Sequence, residues 1–367
     1  MIRSIPIVLR HVLSVSFMLQ QLSEACSSWF MENDFTLSAR TLDNQPTEWI
    51  GRAGSGITVV PRGALGALGI QGRYGYAGFF AMENATGQGP SHDVGIRMGG
   101  LNEAGLSCDE QHLTESEYQT PSHNPDIDLP THLFCEWAVM QFSSIFEVRD
   151  ALLRRRLVRG LIPGGVDSGH HYTLRDSNGT SLVVEAIKGD IYTYVDYNDA
   201  GITGFGVVTN SPPFPWQLET LRNMQSKIKS QHASVAMPGS WYPDERFQRI
   251  WLVKSGMNLP ADYPSAVAQA FTVMDTVTVP EGTQIGTDGI GTYTIWGAVY
   301  DHLKPTIYWR TARNHNTQRL RLQESCMHKN SQRLYISVNT PLQPWFNDAA
   351  SSLRPIPATG LPSTVHV

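Results

Sequence analysis

The chain is poor in cysteine, poor in charge and without a long apolar run, and each shortage removes a class of protein. Four cysteines in 367 residues are too few for a disulfide-dense scaffold, and no pair among Cys26, Cys108, Cys135 and Cys326 has the spacing of a zinc site. Charged residues make up 17% and the formal net charge is −5, so no basic excess is present to hold nucleic acid. The run Arg154–Arg155–Arg156 follows a helical apolar pattern and reads as a solvated helix end, where cations suit the helix dipole. No apolar stretch approaches the roughly 20 residues of a membrane span. A P-loop, a glycine-rich dinucleotide fingerprint and an internal repeat are also missing. What remains is a well-cored globular chain, 41% apolar, with no reason to be disordered as a whole.

The first 25 residues differ from the rest. Arg3 and Arg10 give a positive start, "VLSVSFML" is a short apolar core, and "QQLSEA" ends in the small-x-small pattern Ser23–Glu24–Ala25. This reads as an export signal or propeptide over residues 1–25, with a buried N-terminal helix as the other reading. Scission after Ala25 leaves Cys26 as the first residue of a secreted or periplasmic protein. If Cys26 is a free nucleophile, at most one internal bridge can form. Cys108 with Cys135 is one pairing, and buried thiols are the alternative.

Beyond Cys26 the pattern is strands, helices, strands, helices, strands. "FTLSARTLDN" alternates and ends in a turn signal, and "ITVVPRG" is a second β run. "YGYAGFFAME" is an aromatic loop or strand. "LPTHLFCEWAVMQF" has helical spacing. "SSIFEVRDALLRRRLV" opens with a capping box, Ser144 with Glu147, and carries a stripe of Ile145, Val148, Leu152 and Leu153. "HYTLRDSNGTSLVVEAIKGDIYTYV" reads as three strands with turns at Asp176–Gly179 and Gly189–Asp190. Three more helices follow Pro-containing entries, and "GTYTIWGAVYDHLKPTIYWRTA" supplies closing strands. Trp216, Trp241, Trp251 and Trp296 read as core. This order implies a layered α+β architecture rather than a parallel βαβ sheet. After about Leu322 the periodicity fades, so residues 323–367 read as a partly disordered C-terminal extension.

An N-terminal cysteine would carry a thiol and a free α-amine on one residue. Their reference pKa values, about 8.5 and 7.7–8, let the amine take the thiol proton near neutral pH. A neighbouring cation would favour the thiolate, and a carboxylate would orient the amine. Arg40 and Asp43 in "SARTLDN" supply both charges on one short β segment.

Later segments complete a pattern. "GGLNEAGLSCDEQHL", "VVTNSPPFPWQLETLRN" and "MPGSWYPDERFQR" together resemble the choloylglycine hydrolase and penicillin V acylase family of linear amide C–N hydrolases, from Cys26 to about Leu322. The resemblance implies an N-terminal-nucleophile fold, a four-layer αββα sandwich of two antiparallel sheets flanked by helices. It implies that Cys26 is the nucleophile, with Arg40 beside the thiol and Asp43 holding nucleophile and amine. Asn210 in "TNSP" then forms part of the oxyanion hole, and Arg246 in "DERF" supports the network. His112 aligns with a variable position whose backbone N–H can be the second oxyanion donor and whose side chain forms a substrate lip. Leu42, Phe79 and Phe80 are candidates for the substrate pocket.

The family reaction needs no cofactor or metal, and the expected partner is a small N-acyl amide. Candidates are penicillin V, an N-acyl homoserine lactone, a conjugated bile salt or a fatty-acid amide. The stretch between "NSPPF" and "DERF" is short, where bile-salt hydrolases carry a long hairpin that helps assemble tetramers. The chain is therefore more similar to the Gram-negative penicillin V acylase branch, and a homo-oligomer stays open. The alternative from another class is a secreted binding protein that keeps the fold without turnover.

Overall fold

The computed structural model describes residues 26–31, 33–44, 55–81, 98–162, 165–166, 168–196, 206–231, 237–285, 291–325, 327–329, 331–339 and 344–345. The expected export segment, and most of the stretch after residue 339, lie outside these.

The main strands are β1 (Ser27–Met31), β2 (Leu37–Asn44), β3 (Ser55–Val60), β4 (Tyr76–Ala81), β5 (Gly99–Asn102) and β6 (Ser107–His112). After helices α1 (Phe134–Gln141) and α2 (Ile145–Leu152) come β7 (His170–Arg175), β8 (Ser181–Ile187) and β9 (Asp190–Asp196). Helices α3 (Phe214–Gln231), α4 (Pro243–Gly256) and α5 (Tyr263–Asp275) precede β10 (Gly291–Asp301), β11 (Thr306–Thr311), β12 (Asn314–Arg321) and β13 (Leu334–Ser337).

Two antiparallel sheets result. One runs β1-β2-β10-β11-β12, with a short strand at 284–285 on β10. The other runs β9-β8-β7-β6-β5-β4-β3-β13. Three apolar layers separate the elements. Phe134, Trp137, Ile145 and Val148 of α1 and α2 pack on Tyr76, Tyr172, Leu174 and Val184 of the large sheet. Between the sheets, Ile57, Ala77 and Phe79 meet Leu42, Trp296 and Ile307. Leu221, Phe247, Phe271 and Met274 of α3–α5 cover Trp29, Leu37, Ala39 and Val299 of the small sheet. The order helix, sheet, sheet, helix is the αββα sandwich. It also explains why β4 and β10 read as near-continuous apolar runs, because each is covered on both faces.

Local details follow from sequence. The α2 N-cap is Ser144, whose hydroxyl accepts from Glu147 N. The Glu147 carboxylate reaches back one residue further than an ordinary capping box, to Ser143 N at 2.7 Å. Gly179 and Gly189 turn the β7-β8-β9 meander with φ of 76° and 81°, which a side chain would resist. Cys108 and Cys135 are joined by a disulfide that ties β6 to α1.

Four expectations are corrected. Leu153 is 84% exposed and not part of the α2 stripe, because the helix ends at Leu152. Arg154–Arg156 lie past that end; Arg155 and Arg156 cap backbone carbonyls of Asp126 and Thr120. Trp216 is 70% exposed, whereas Trp296 is fully buried. The chain after Leu322 is not simply an appendage. Leu334–Ser337 pairs with β3 as the edge of the large sheet, and Val338 is buried beside it.

Candidate active site

The site grows from the pairing of β1. On one edge β1 runs antiparallel to β2, with Ser28 opposite Arg40 and Ser27 opposite Thr41. On the other edge Ser28 and Val208 exchange two backbone hydrogen bonds of 2.8 Å. Extending that antiparallel register by two residues sets Asn210 across from Cys26. Cys26 itself is 6% exposed, in the layer between the sheets. Its thiol points at the Asp43 carbonyl, 3.9 Å away.

Arg246, in the first turns of α4, closes the constellation. Its Nη1 donates to Cys26 O at 2.7 Å and to Ser27 Oγ at 2.5 Å. Its Nη2 donates to Asn210 Oδ1 at 2.7 Å, and its Nε to Trp241 O at 2.9 Å. Burial lowers the Arg246 pKa from its usual value, against the opposing pull of Asp43 and Cys26. With its oxygen held by Arg246, the Asn210 amide presents nitrogen to the other side, and Nδ2 donates to His112 O at 3.1 Å. An amide nitrogen carries two hydrogens, so one N–H remains beyond the bond to His112 O.

The Asn210 loop is fixed from behind. Gln217 of α3 accepts from Thr209 N (3.1 Å) and donates to Asn210 O (2.7 Å) and Pro212 O (2.8 Å). His171 Nε2 meets Thr209 O at 2.7 Å, and its Nδ1 meets Glu185 Oε1 at 3.0 Å. That carboxylate also caps the α3 entry through Phe214 N, at 2.8 Å.

His112 ends β6. The next residue, Leu113, donates to Gly169 O at 2.9 Å, so His112 forms a non-hydrogen-bonded pair with His170. Strand alternation then turns both its N–H and its C=O away from β7, to the side where Asn210 lies. Its ring goes elsewhere. Nε2 meets Thr114 Oγ1 at 3.3 Å, and the ring stands edge-on to His170 with centroids 6.0 Å apart.

Asp43 is fully buried. Thr294 Oγ1 donates to its Oδ1 at 2.5 Å and Thr41 Oγ1 to its Oδ2 at 3.3 Å. Burial pushes its pKa up to about 6; Arg246, Thr294, Thr41 and Arg40 restrain the rise. Arg40 lies on the opposite face of β2, in the inter-sheet layer, with its guanidinium 5.0 Å from the centre of the Trp296 ring. Burial works against its charge, but Asp109, Cys26, Tyr300 and Glu110 outweigh this and raise its pKa.

The structure therefore gathers Cys26, Asp43, Asn210 and Arg246 with the His112 backbone, and brings the Arg40 charge to the same thiol. Leu42 shares the inter-sheet cluster with Cys26. Phe79 and Phe80 lie within β4. Both are fully buried, and Phe79 stacks on Trp296 at 3.9 Å. Ser27, Thr41, Thr294 and Gln217 were not singled out from sequence. Only Ser27, adjacent to the candidate nucleophile, carried any local signal; Thr294 is 251 residues from its partner Asp43.

A profile of linear amide C–N hydrolases, choloylglycine hydrolase family, matches residues 26–337. The bile salt hydrolase/transferase of Clostridium perfringens is 27% identical over 177 residues, 43% of this chain and 52% of that protein. The conjugated bile acid hydrolase of Lactobacillus acidophilus is 28% identical over 206 residues, 50% of this chain and 61% of that protein. The matched region thus spans about half to three-fifths of these relatives' length. A crystal structure of a mutant conjugated bile acid hydrolase from Clostridium perfringens superimposes with a TM-score of 0.72 at 18% identity, covering 86% of this chain and 97% of that one. Penicillin V acylase from Agrobacterium tumefaciens gives 0.66 at 23% identity, covering 85% and 91%. At these identities the two structures speak for the fold, and the profile match over residues 26–337 speaks for descent: the chain belongs to the choloylglycine hydrolase family of linear amide C–N hydrolases.

Proposed function

We propose that the protein is an N-terminal-cysteine amidohydrolase that cleaves the linear amide C–N bond of a small N-acyl substrate through a thioester. The observation that carries this reading is the single guanidinium of Arg246, bonded at once to Cys26 O, Ser27 Oγ and Asn210 Oδ1. It joins a nucleophile, its neighbour and an oxyanion donor from distant parts of the chain.

Scission ahead of Cys26 gives the thiol an α-amine on the same residue. The amine takes the thiol proton, and the thiolate adds to the amide carbonyl carbon. The second N–H of Asn210 and the backbone N–H of His112 receive the oxyanion, each donor being worth roughly 3–4 kcal/mol. As the C–N bond breaks, the ammonium returns its proton to the departing nitrogen. Water then adds to the thioester, gives its proton to the amine, and the C–S bond breaks to release the acid. Asp43, ionised, orients the amine. Arg246 fixes the Asn210 amide so that nitrogen rather than oxygen meets developing charge.

The substrates we favour are conjugated bile salts and penicillin V, because the relatives and structural neighbours carry those names; acyl homoserine lactones and fatty-acid amides share the bond type. Export to a secreted or periplasmic location is supported by the N-terminal pattern and by the Cys108–Cys135 disulfide, since such bridges persist in oxidising compartments. The test is a hydrolysis panel of these four substrate types with wild type and Cys26→Ala. Turnover by wild type alone supports the reading. Equal turnover by both refutes it, and tight binding with no turnover by either favours a binding protein that keeps the fold.

A further inference from the structure

Among the buried carboxylates that the reaction above leaves unused, Asp109 is the one that faces Arg40. Asp109 is fully buried on β6, three residues before His112. Ser28 Oγ of β1 donates to its Oδ2 at 2.9 Å. Arg175 Nη1 of β7 lies 3.5 Å from the same oxygen and donates to Ser28 Oγ at 2.7 Å. Arg40 Nη1 of β2 is 3.8 Å from the other oxygen, Oδ1. Gly99 of β5 closes the remaining side. Its φ is 135°, and a Cβ there would stand 2.6 Å from Asp109 Oδ1 and 2.8 Å from Arg40 Nη1. Only glycine lets the backbone approach this ion pair so closely.

Arg40 itself is loosely held. Its hydrogen bond to Thr41 O is long, 3.4 Å, and its Nε and Nη1 make none among the described residues. Without a bidentate clamp, the direction of a guanidinium follows the groups that face it. For Arg40 these are Asp109 and Glu110 of β6, the Cys26 thiol and the Tyr300 phenol of β10, which burial keeps neutral, with Arg175 of β7 behind Asp109. The thiol in turn faces Arg40, the backbone carbonyl of Asp43 in β2, and Arg246 of α4, which has Asp244 and Arg249 near it.

We propose that Asp109 is a positioning residue that acts through Arg40. It divides the guanidinium's charge between itself and Cys26, so that thiol and α-amine stay matched as proton partners. The purpose of this division rests on the hydrolase reading. An Arg40 committed wholly to the sulfur would give a weakly basic thiolate, and thiolate nucleophilicity falls with basicity. A matched thiol passes its proton to the amine and back at little cost in both halves of the reaction.

The test is the rate of Cys26 alkylation by iodoacetamide against pH, without substrate, on mature protein whose folding is checked by a thermal melt. Asp109→Asn lowers the apparent thiol pKa by about one unit, because an anion is removed and Arg40 turns to the sulfur. The plateau kcat/KM of that variant falls several-fold. Asp109→Glu restores the charge and brings the profile back to within about 0.3 units of wild type. A folded Asp109→Asn with the wild-type alkylation profile overturns the proposal, as does an Asp109→Glu shifted as far as Asp109→Asn. If Asp109→Asn does not fold, Arg175→Met probes the same anion from its other side. Asp109 then acts on Arg40 alone and the thiol pKa rises; an unmoved profile refutes the idea. The alkylation profile is independent of turnover. Hydrolysis that survives full alkylation of Cys26 would sink the hydrolase reading and leave the charge division standing.

Discussion

Arg246 Nη2 donates to Asn210 Oδ1 at 2.7 Å, and that bond decides which end of the Asn210 amide would meet the proposed reaction. With the oxygen occupied, the nitrogen is turned to His112 O and to any carbonyl bound above Cys26. Replacing Asn210 with Asp removes the donor and adds an anion where negative charge develops. The expected loss in kcat is about 100- to 1000-fold with KM little changed. Arg246→Lys keeps a charge but cannot reach Cys26 O, Ser27 Oγ and Asn210 together, so kcat is expected to fall at least about tenfold. Steady-state kinetics on the hydrolysed substrate measures both.

Gln217 makes a prediction about a residue that touches no substrate. It holds Thr209, Asn210 and Pro212 through three backbone hydrogen bonds. Gln217→Ala leaves those buried groups without partners, at about 1–3 kcal/mol each at most. A lower melting temperature and a fall in kcat larger than any change in KM are expected together. Gln217→Glu keeps the acceptor for Thr209 N but sets a carboxylate against two carbonyls, and should be worse than its similar size suggests.

The pH dependence follows from Asp43. Burial raises its pKa to about 6 despite the charges and hydroxyls around it. In the proposed reaction the ionised form orients the amine, so hydrolysis is expected to rise with pH through about 6. Thr294 donates to Asp43 Oδ1, a bond that favours the ionised form. Thr294→Val therefore moves the acid limb to higher pH, by roughly half a unit to one unit. Stability runs the other way. A carboxyl whose folded pKa is raised binds its proton more tightly when folded, so Asp43 costs stability as pH rises from 3.8 towards 6. Asp43→Asn should flatten that part of the stability curve while abolishing turnover.

The Cys108–Cys135 bridge closes a loop with a sequence separation of 27. Chain-entropy reasoning gives it about 3–4 kcal/mol. Cys135→Ala, or reduction of wild type, should lower the melting temperature by several degrees without changing the acid limb of activity. Reduction should not lower the melt of the Cys108→Ala/Cys135→Ala double variant further. Thermal denaturation with and without reductant tests this.

Much of the architecture could be read from periodicity, because covered strands and amphipathic helices leave regular patterns. The α3–α5 helices and the β7-β8-β9 meander lie where their apolar spacing and Gly turns place them. The errors have local causes. "YAGFFA" is apolar throughout because β4 lies inside the sandwich, which its sequence alone left open between loop and strand. "LYIS" is only four residues in a polar neighbourhood, too short to mark an edge strand without its partner β3. In the candidate site, Cys26, Asn210 and Arg246 stood out through local motifs. Thr294, Gln217 and Asp109 did not, since each acts through a contact that only the folded chain makes. Arg40 and Asp43 fall on opposite faces of β2, which their three-residue spacing implied; both still bear on Cys26, because the first strand pairs beside them.

The central claim is that Cys26 works as a terminal residue. Intact mass measured on active, purified protein tests it directly, paired with activity after mild acetylation of the terminus. The expected result is a mass that begins at Cys26 and activity that disappears when its amine is capped. Full activity from protein that still carries residues ahead of Cys26, or from the capped form, would contradict it.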